Sequence, residues 1–471
     1  MISIIIKEND FEYDIYGIAK AFYPQEDIKT APEGDDYIRV DFAGGRAIAE
    51  ISIHGNALAG ASDIIGADRR QTKNILKRLL YELLSQISGR TLPWGTLTGI
   101  RPTKLPTALI EEGRSDDAIR KYMTDTYLLS PEKLNLSLQI AHKEHELLSP
   151  IDYENGYSLY IGIPFCPTTC LYCSFTSFPI MKWRAKVDAY LDCLEKEMIF
   201  TSDRMKNKTL QSVYIGGGTP TTLDEEQLGR LIGMIAKYYD LSNVREWTVE
   251  AGRPDSLTRG KLEILRDSPV DRISINPQTM NDETLRIIGR HHSTIDTIEK
   301  FKLARELGIN NINMDIILGL PGEGADELAY TLDAIKELGP DSLTVHTLAI
   351  KRAARLNTDL ERYLDRDYDA AGAMEMSTQA AFDMGMQPYY LYRQKNMTGN
   401  LENIGFAKSG CEGIYNILIM EEKQTIVALG AGAVTKVVTP GGKSRIENVK
   451  DVNFYINRID EMIERKRCGL Q

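Results

Sequence analysis

The chain has 471 residues, with 56 Lys and Arg against 67 Asp and Glu for a net charge of −11, and 42% of it is hydrophobic. That balance suits a globular protein of about three domains. It excludes disordered, collagen-like and coiled-coil architectures, and it leaves no chain-wide basic footprint for nucleic acid. No run approaches the ~18 consecutive apolar residues of a membrane span. The opening MISIIIKENDFEYD turns acidic without the basic start or cleavage site of a signal peptide, so a cytoplasmic protein is expected.

Residues 1–155 read as an N-terminal α+β domain. Ile4–Ile6 is a short apolar run, and residues 37–42 and 47–53 flank Gly44-Gly45 as a β-hairpin. Ile75, Leu76, Leu79, Leu80, Leu83, Leu84 and Ile87 recur at helical spacing, and further helices are expected near 115–127 and 131–148. The basic start of the first helix, including Arg69, Arg70 and Lys73, reads best as a solvated face.

From residue 156 to 350 the rhythm changes. Apolar strand-like runs at 158–163, 213–215, 247–250, 272–275, 312–317 and 343–349 alternate with helical stretches at 186–200, 225–239, 259–267, 296–307 and 326–338. Such alternation implies parallel strands with right-handed crossovers. Six units predict an α/β fold, a partial (β/α)6 barrel with its chemistry at the C-terminal ends of the strands. Residues 351–471 are expected to form a C-terminal α+β domain covering the barrel. Short β signals stand there at 388–392, 414–420 and 425–428, with a terminal helix near 451–467 and a turn at Gly430-Ala431-Gly432.

Three of the six cysteines, Cys166, Cys170 and Cys173, fall within eight residues, on a loop after the first barrel strand. Thiolates suit iron–sulfur clusters or zinc. Three ligands spaced x3 then x2 can hold three irons of a [4Fe–4S] cluster and leave the fourth open. A closed zinc site wants a fourth Cys or His nearby, and the next cysteine, Cys193, lies on an expected helix. Zinc or idle thiols remain the competing reading at this point. Downstream, Gly216-Gly217-Gly218-Thr219-Pro220 follows strand two, Glu250 ends strand three, and ILGLPG at 317–322 ends strand five.

This set resembles the radical S-adenosylmethionine (SAM) superfamily. The segments YIGIPFC, CLYCSF, GGGTPT, SINPQT and NMDIILGLPG narrow the resemblance to the oxygen-independent coproporphyrinogen III oxidase (dehydrogenase) family. It covers about residues 155–440 and is closest to a clostridial/bacillary branch with an extended N-terminal domain. PWGTLTGIRPTK and HTLAIKR belong to that likeness.

The resemblance implies a cytoplasmic oxidoreductase of haem biosynthesis. Its cofactors would be a [4Fe–4S] cluster on Cys166, Cys170 and Cys173, and SAM. Tyr160, Gly217, Glu250, Gln278 and Arg290 match positions that hold the cluster-bound SAM. Tyr172, Gly218, Thr219 and Asp315 match positions around a second SAM. Its chemistry is reductive cleavage of SAM to a 5′-deoxyadenosyl radical that takes hydrogen from substrate, so a reductant protein such as flavodoxin or ferredoxin is implied. The expected reaction decarboxylates two propionates of coproporphyrinogen III to give protoporphyrinogen IX. A tetrapyrrole needs cations for its propionates, and Lys351, Arg352 and Arg355 after strand six are the candidate clamp. His346 reads as a structural strand residue more readily than as an acid or base.

The chain departs from the family's dehydrogenase at Phe175, where that enzyme carries a further cysteine. It departs from the family's haem chaperone at Gly399, where that protein carries a haem-ligating histidine. A radical SAM tetrapyrrole methyltransferase or haem-opening enzyme, and a haem-binding or trafficking protein, are the alternatives.

Overall fold

The computed structural model describes residues 1–7, 9–348, 368–393 and 401–470. Lys351, Arg352, Arg355 and Gly399 lie outside them. Two compact units are present, Met1–His145 with Leu391–Asn396, and Glu146–Tyr390 with Met397–Gln471.

The first unit is built on strands β1 (Ile2–Ile6), β2 (Ile28–Thr30), β3 (Asp36–Ala43), β4 (Arg46–Ile53) and β5 (Asn56–Asp63), in the order β2-β1-β3-β4-β5. The expected hairpin is β3–β4. Gly44 and Gly45 take φ of 60° and 74°, the left-handed pair that a two-residue hairpin turn demands. Ile38, Val40, Ala49 and Ile51 bury one face of the sheet against helices Glu12–Phe22 and Arg69–Ser88, whose Ile15, Ile18, Leu76 and Leu80 close the core. A reciprocal capping box, Asp68 with Gln71, starts the second helix.

The second unit carries an eleven-stranded sheet. Its centre is six parallel strands: β6 (Gly156–Ile163), β9 (Thr209–Gly217), β10 (Glu246–Glu250), β11 (Arg272–Ser274), β12 (Ile312–Leu318) and β13 (Ser342–Thr347), adjacent in that order. Between β6 and β9 lie the two-residue strands β7 (Phe165–Cys166) and β8 (Phe178–Pro179), which pair with each other. Helices Val187–Arg204, Glu225–Tyr238, Arg259–Arg266, Thr294–Glu306 and Ala325–Leu338 make the crossovers. The barrel strands are buried and apolar, which is why they read so plainly in the sequence.

Two expectations for the C-terminal segment are corrected. It is not a separate covering domain. Strand β15 (Asn403–Ala407) adds antiparallel to β13, with β14 (Gln387–Tyr392) beyond it. At the other edge β16 (Thr425–Leu429) pairs parallel with β6, followed by β17 (Val434–Thr439) and β18 (Gly442–Glu447). Both open edges of the parallel sheet are thereby capped, which an unpaired row of backbone donors and acceptors demands. The run at 414–420, expected as a strand, is the helix Ile414–Glu421, because a short continuous apolar run does not distinguish strand from buried helix. Gly430–Gly432 is a turn, with Ala433 N donating to Gly430 O at 3.2 Å. Among the described residues no helix is long and apolar enough to cross a membrane.

The end helices Val452–Asn457 and Ile459–Gly469 pack on helix Val187–Arg204. Between them sits a buried polar lock. Lys466 Nζ lies 2.7 Å from Glu197 Oε1, both side chains fully buried. Asn448, Tyr455 and the Gly430 amide donate to the same carboxylate at 2.6–2.9 Å.

Candidate active site

The cysteine loop leaves the C-terminal end of β6. The β7–β8 pairing closes its base, so residues 167–177 form a bounded excursion. Backbone bonds pin it from two sides. Gly218 N and Thr219 N donate to Ile163 O and Phe165 O at 2.8 and 2.7 Å, and Leu171 N donates to Ile288 O at 3.0 Å. Leu171 and Tyr172 rest on the apolar cluster Leu285, Ile288, Ile317, Leu320 and Leu348.

All three cysteines are free thiols, Cys170 buried and the other two half-buried. Burial pushes the Cys166 thiol up and the Cys173 thiol to about 11, and the neighbouring cysteines push each further in the same direction. Among the described residues no group of three or more His, Cys, Asp or Glu converges on a single ion. Three thiols spread on one loop fit a multinuclear centre, whose ligands stand on different irons.

The glycine stretch forms a floor without room for side chains. Gly217 has φ 111°. A Cβ on Gly218 would stand 2.5 Å from Phe165 O and 2.9 Å from Cys166 Sγ, and one on Gly216 would stand 3.0 Å from the Glu250 carboxylate. Thr219 Oγ1 donates to Cys166 Sγ at 3.6 Å. Glu250, at the end of β10, accepts from Tyr214 OH at 2.6 Å. Burial pushes its carboxyl up to about 7; the Tyr214 bond opposes this and the Asp315 charge adds to it. Tyr160 lies beside the stacked pair Tyr214 and Tyr415, its ring 6.3 and 6.2 Å from theirs, and burial pushes its phenol up.

The far strands bring polar atoms that lack protein partners. Gln278 takes φ 68°, rare for a residue with a side chain, because its amide and carbonyl bridge to Asp315 O and Ile317 N at 2.9 and 3.0 Å. Its Oε1 is buried without a hydrogen bond, as are Asn276 Oδ1 and Arg290 Nε. Arg290 Nη1 donates to Asn276 O at 2.6 Å and Gly252 O at 3.3 Å. Asp315 accepts from Asn313 and Asn276 at 2.6 and 2.7 Å, with His346 Nε2 at 3.7 Å. Burial would raise the Asp315 carboxyl, but bonding and charge from His346 hold it low. Buried polar atoms without partners cost stability unless a ligand satisfies them. Orphaned donors and acceptors, a strained Gln278 and a glycine floor together fit an amino-acid-bearing cofactor beside the cysteines.

Gly217 and Glu250 end β9 and β10, Gly218 and Thr219 follow at once, and Gln278 comes soon after β11, whereas Tyr160 and Asp315 lie within β6 and β12, Tyr172 is on the cysteine loop and Arg290 follows the short helix Asp282–Ile287. Sequence reasoning missed Asn276, Tyr214, Tyr415 and Arg253. Arg253 and Asn276 carried a signal, since each closely follows a strand end.

The radical SAM superfamily model matches residues 160–335. The oxygen-independent coproporphyrinogen-III oxidase-like protein HemZ of Bacillus subtilis (strain 168) is 41% identical over 404 residues, 84% of this chain and 81% of the relative. The chain belongs to the oxygen-independent coproporphyrinogen III oxidase-like family of radical SAM proteins. The heme chaperone HemW of the same organism is 34% identical over 64% of this chain and 76% of its own. Coproporphyrinogen III oxidase HemN from Escherichia coli shares the fold at TM-score 0.54 and 22% identity, covering 68% of this chain and 72% of that one. Membership in the radical SAM family brings a [4Fe–4S] cluster and SAM as cofactors.

Proposed function

We propose that the chain oxidatively decarboxylates two propionates of coproporphyrinogen III to vinyl groups, giving protoporphyrinogen IX. The observation that carries the reading is the set formed by three free thiols, the glycine floor, Glu250 and the unpartnered atoms Gln278 Oε1 and Arg290 Nε. The relatedness to coproporphyrinogen-oxidase-like proteins supports this substrate class.

In this reading Cys166, Cys170 and Cys173 hold the cluster. Tyr160, Gly217, Glu250, Gln278 and Arg290 hold SAM, with Tyr172, Gly218, Thr219 and Asp315 around a second SAM position. When bound, these cofactors supply a 5′-deoxyadenosyl radical that takes hydrogen from the substrate. The chain's own part is placement. Gly217 and Gly218 let the ligand approach the backbone. Glu250 offers a carboxylate for ribose hydroxyls, and Tyr214 fixes its orientation. Gln278 Oε1 and Arg290 Nε offer a bond acceptor and donor to the ligand's polar groups. Lys351, Arg352 and Arg355 are proposed to meet the substrate's propionates, and a flavodoxin or ferredoxin to deliver the electron.

The test is anaerobic turnover of the reconstituted protein with coproporphyrinogen III. The expected products are 5′-deoxyadenosine, methionine, CO2 and protoporphyrinogen IX. SAM cleavage without decarboxylation would retain the radical class and discard the substrate. The second reading, haem binding or trafficking, is favoured by the relatedness to the heme chaperone HemW. Gly399 in place of a haem-ligating histidine weighs against it. Stable haem binding with no release of 5′-deoxyadenosine would establish it.

A further inference from the structure

Arg253 stands three residues beyond Glu250, and its side chain is 4% exposed. A guanidinium has five N–H donors and no acceptor, and each of the five has a partner here. Nε and Nη2 fork onto the two Asp255 carboxylate oxygens at 2.9 and 2.8 Å. Nη2 also reaches Thr168 Oγ1 at 3.1 Å. Nη1 reaches Thr168 O at 3.4 Å and Cys170 Sγ at 3.5 Å. Thr168 Oγ1 in turn donates to Gly289 O at 3.0 Å. The buried His292 ring stands 3.9 Å from Asp255 and closes the far side.

The cation is thus held in one orientation by a carboxylate fork, with a donor left for a single cysteine sulfur. Cys166 receives the neutral Thr219 hydroxyl at 3.6 Å. Lysine would not reproduce the arrangement, because an ammonium lacks the planar fork.

We infer that Arg253 is a positioning residue that raises the reduction potential of the cluster through its N–H···S bond to Cys170. The inference rests on the proposed reading that Cys170 ligates that cluster. Reduction adds one negative charge to the centre. A fixed cationic donor on a ligating sulfur stabilises that added charge more than the oxidised state, and hydrogen bonds to sulfur and net charge are what tune such potentials. The buried setting strengthens the effect, since little solvent screens it. Asp255 acts behind Arg253 by orienting the guanidinium.

The test uses the full-length chain, anaerobically reconstituted, with iron and sulfide assayed before an EPR-monitored redox titration. Two variants are compared with wild type: the neutral pair Arg253→Gln with Asp255→Asn, which leaves no charge unpaired, and Arg253→Lys, which keeps charge and loses the fork. The neutral pair is expected to keep wild-type iron and to shift to a more negative midpoint. At a fixed potential its reduced-to-oxidised ratio falls about tenfold, equivalent to about 59 mV for one electron. Arg253→Lys falls between the two. An unchanged midpoint at wild-type iron content overturns the inference. Iron loss in step with loss of folded protein in both variants also overturns it, because Arg253 then only holds the loop. A wild-type protein that takes up no cluster shows no EPR signal before any variant is compared, and the cluster reading itself then falls.

Discussion

The second unit contains two buried polar clusters that differ in one respect. Around Glu197, the polar atoms answer one another: Lys466, Asn448, Tyr455 and the Gly430 amide converge on one carboxylate, and Lys466 also bonds Asn448 Oδ1 at 2.8 Å. At the strand ends, Gln278 Oε1, Asn276 Oδ1 and Arg290 Nε are buried without partners, and Gln278 carries positive φ. A satisfied network stabilises a packing arrangement, whereas an unsatisfied one costs free energy in the empty protein and is retained where a ligand completes it. The difference sets the Glu197 packing lock apart from the candidate site. It also predicts that mutations in the two regions fail in different assays.

The largest effect is expected at the cysteine loop. Cys170→Ala should abolish the iron–sulfur absorption near ~400 nm and all SAM cleavage, while its melting temperature stays near that of the wild-type apoprotein. Cys193→Ala, on helix Val187–Arg204 away from the loop, should keep the absorption. Equal losses from both would erase the distinction between the regions. Lys466→Met is the reverse case. Removing one partner of a fully buried pair leaves Glu197 charged and unpaired, at a cost of about 3–5 kcal/mol. Chemical denaturation should read that loss, while the molecules that remain folded bind iron as wild type. A Lys466→Met protein of unaltered stability would show that the lock holds nothing.

The six barrel strands were legible because parallel strands buried on both faces read as near-continuous apolar runs. The cysteine trio stood out by its spacing, and the choice of a cluster over zinc came from the family resemblance. What stayed hidden depends on contacts distant in sequence. That β16 pairs with β6 and β15 with β13 has no local signal, so the C-terminal segment read as a domain of its own. The apolar run at 414–420 carries no period that separates strand from helix, and only its packing, with Tyr415 stacked 4.4 Å from Tyr214, decides. Arg253 meets Cys170 across 83 residues, a proximity created by strand order. The strain at Gln278 likewise arises from a bridge to β12 that no neighbouring residue announces.

Two smaller effects centre on Glu250, where the site's cost to the fold and its use by a ligand meet. Glu250→Gln keeps the shape and removes the charge that ribose hydroxyls would meet. SAM affinity of the reconstituted protein should fall about 10- to 100-fold by calorimetry, the range for a hydrogen bond to a charged group. An unchanged affinity would remove Glu250 from the ligand site. The smallest effect is on the apoprotein. Burial lifts the Glu250 carboxyl from its ordinary 4.5 to about 7. The folded state therefore holds a proton that the unfolded chain has released in that window. Stability is full below about pH 4.5 and declines as pH rises toward about 7, by about 1–3 kcal/mol. Denaturant midpoints of the apoprotein between those pH values should show the decline, and Glu250→Gln should flatten it. Saturating SAM should flatten it too if the ligand's hydroxyls compensate the buried carboxylate. A slope that survives in Glu250→Gln would assign the titration to another buried acid, of which Asp271, raised to about 6, is the first to examine.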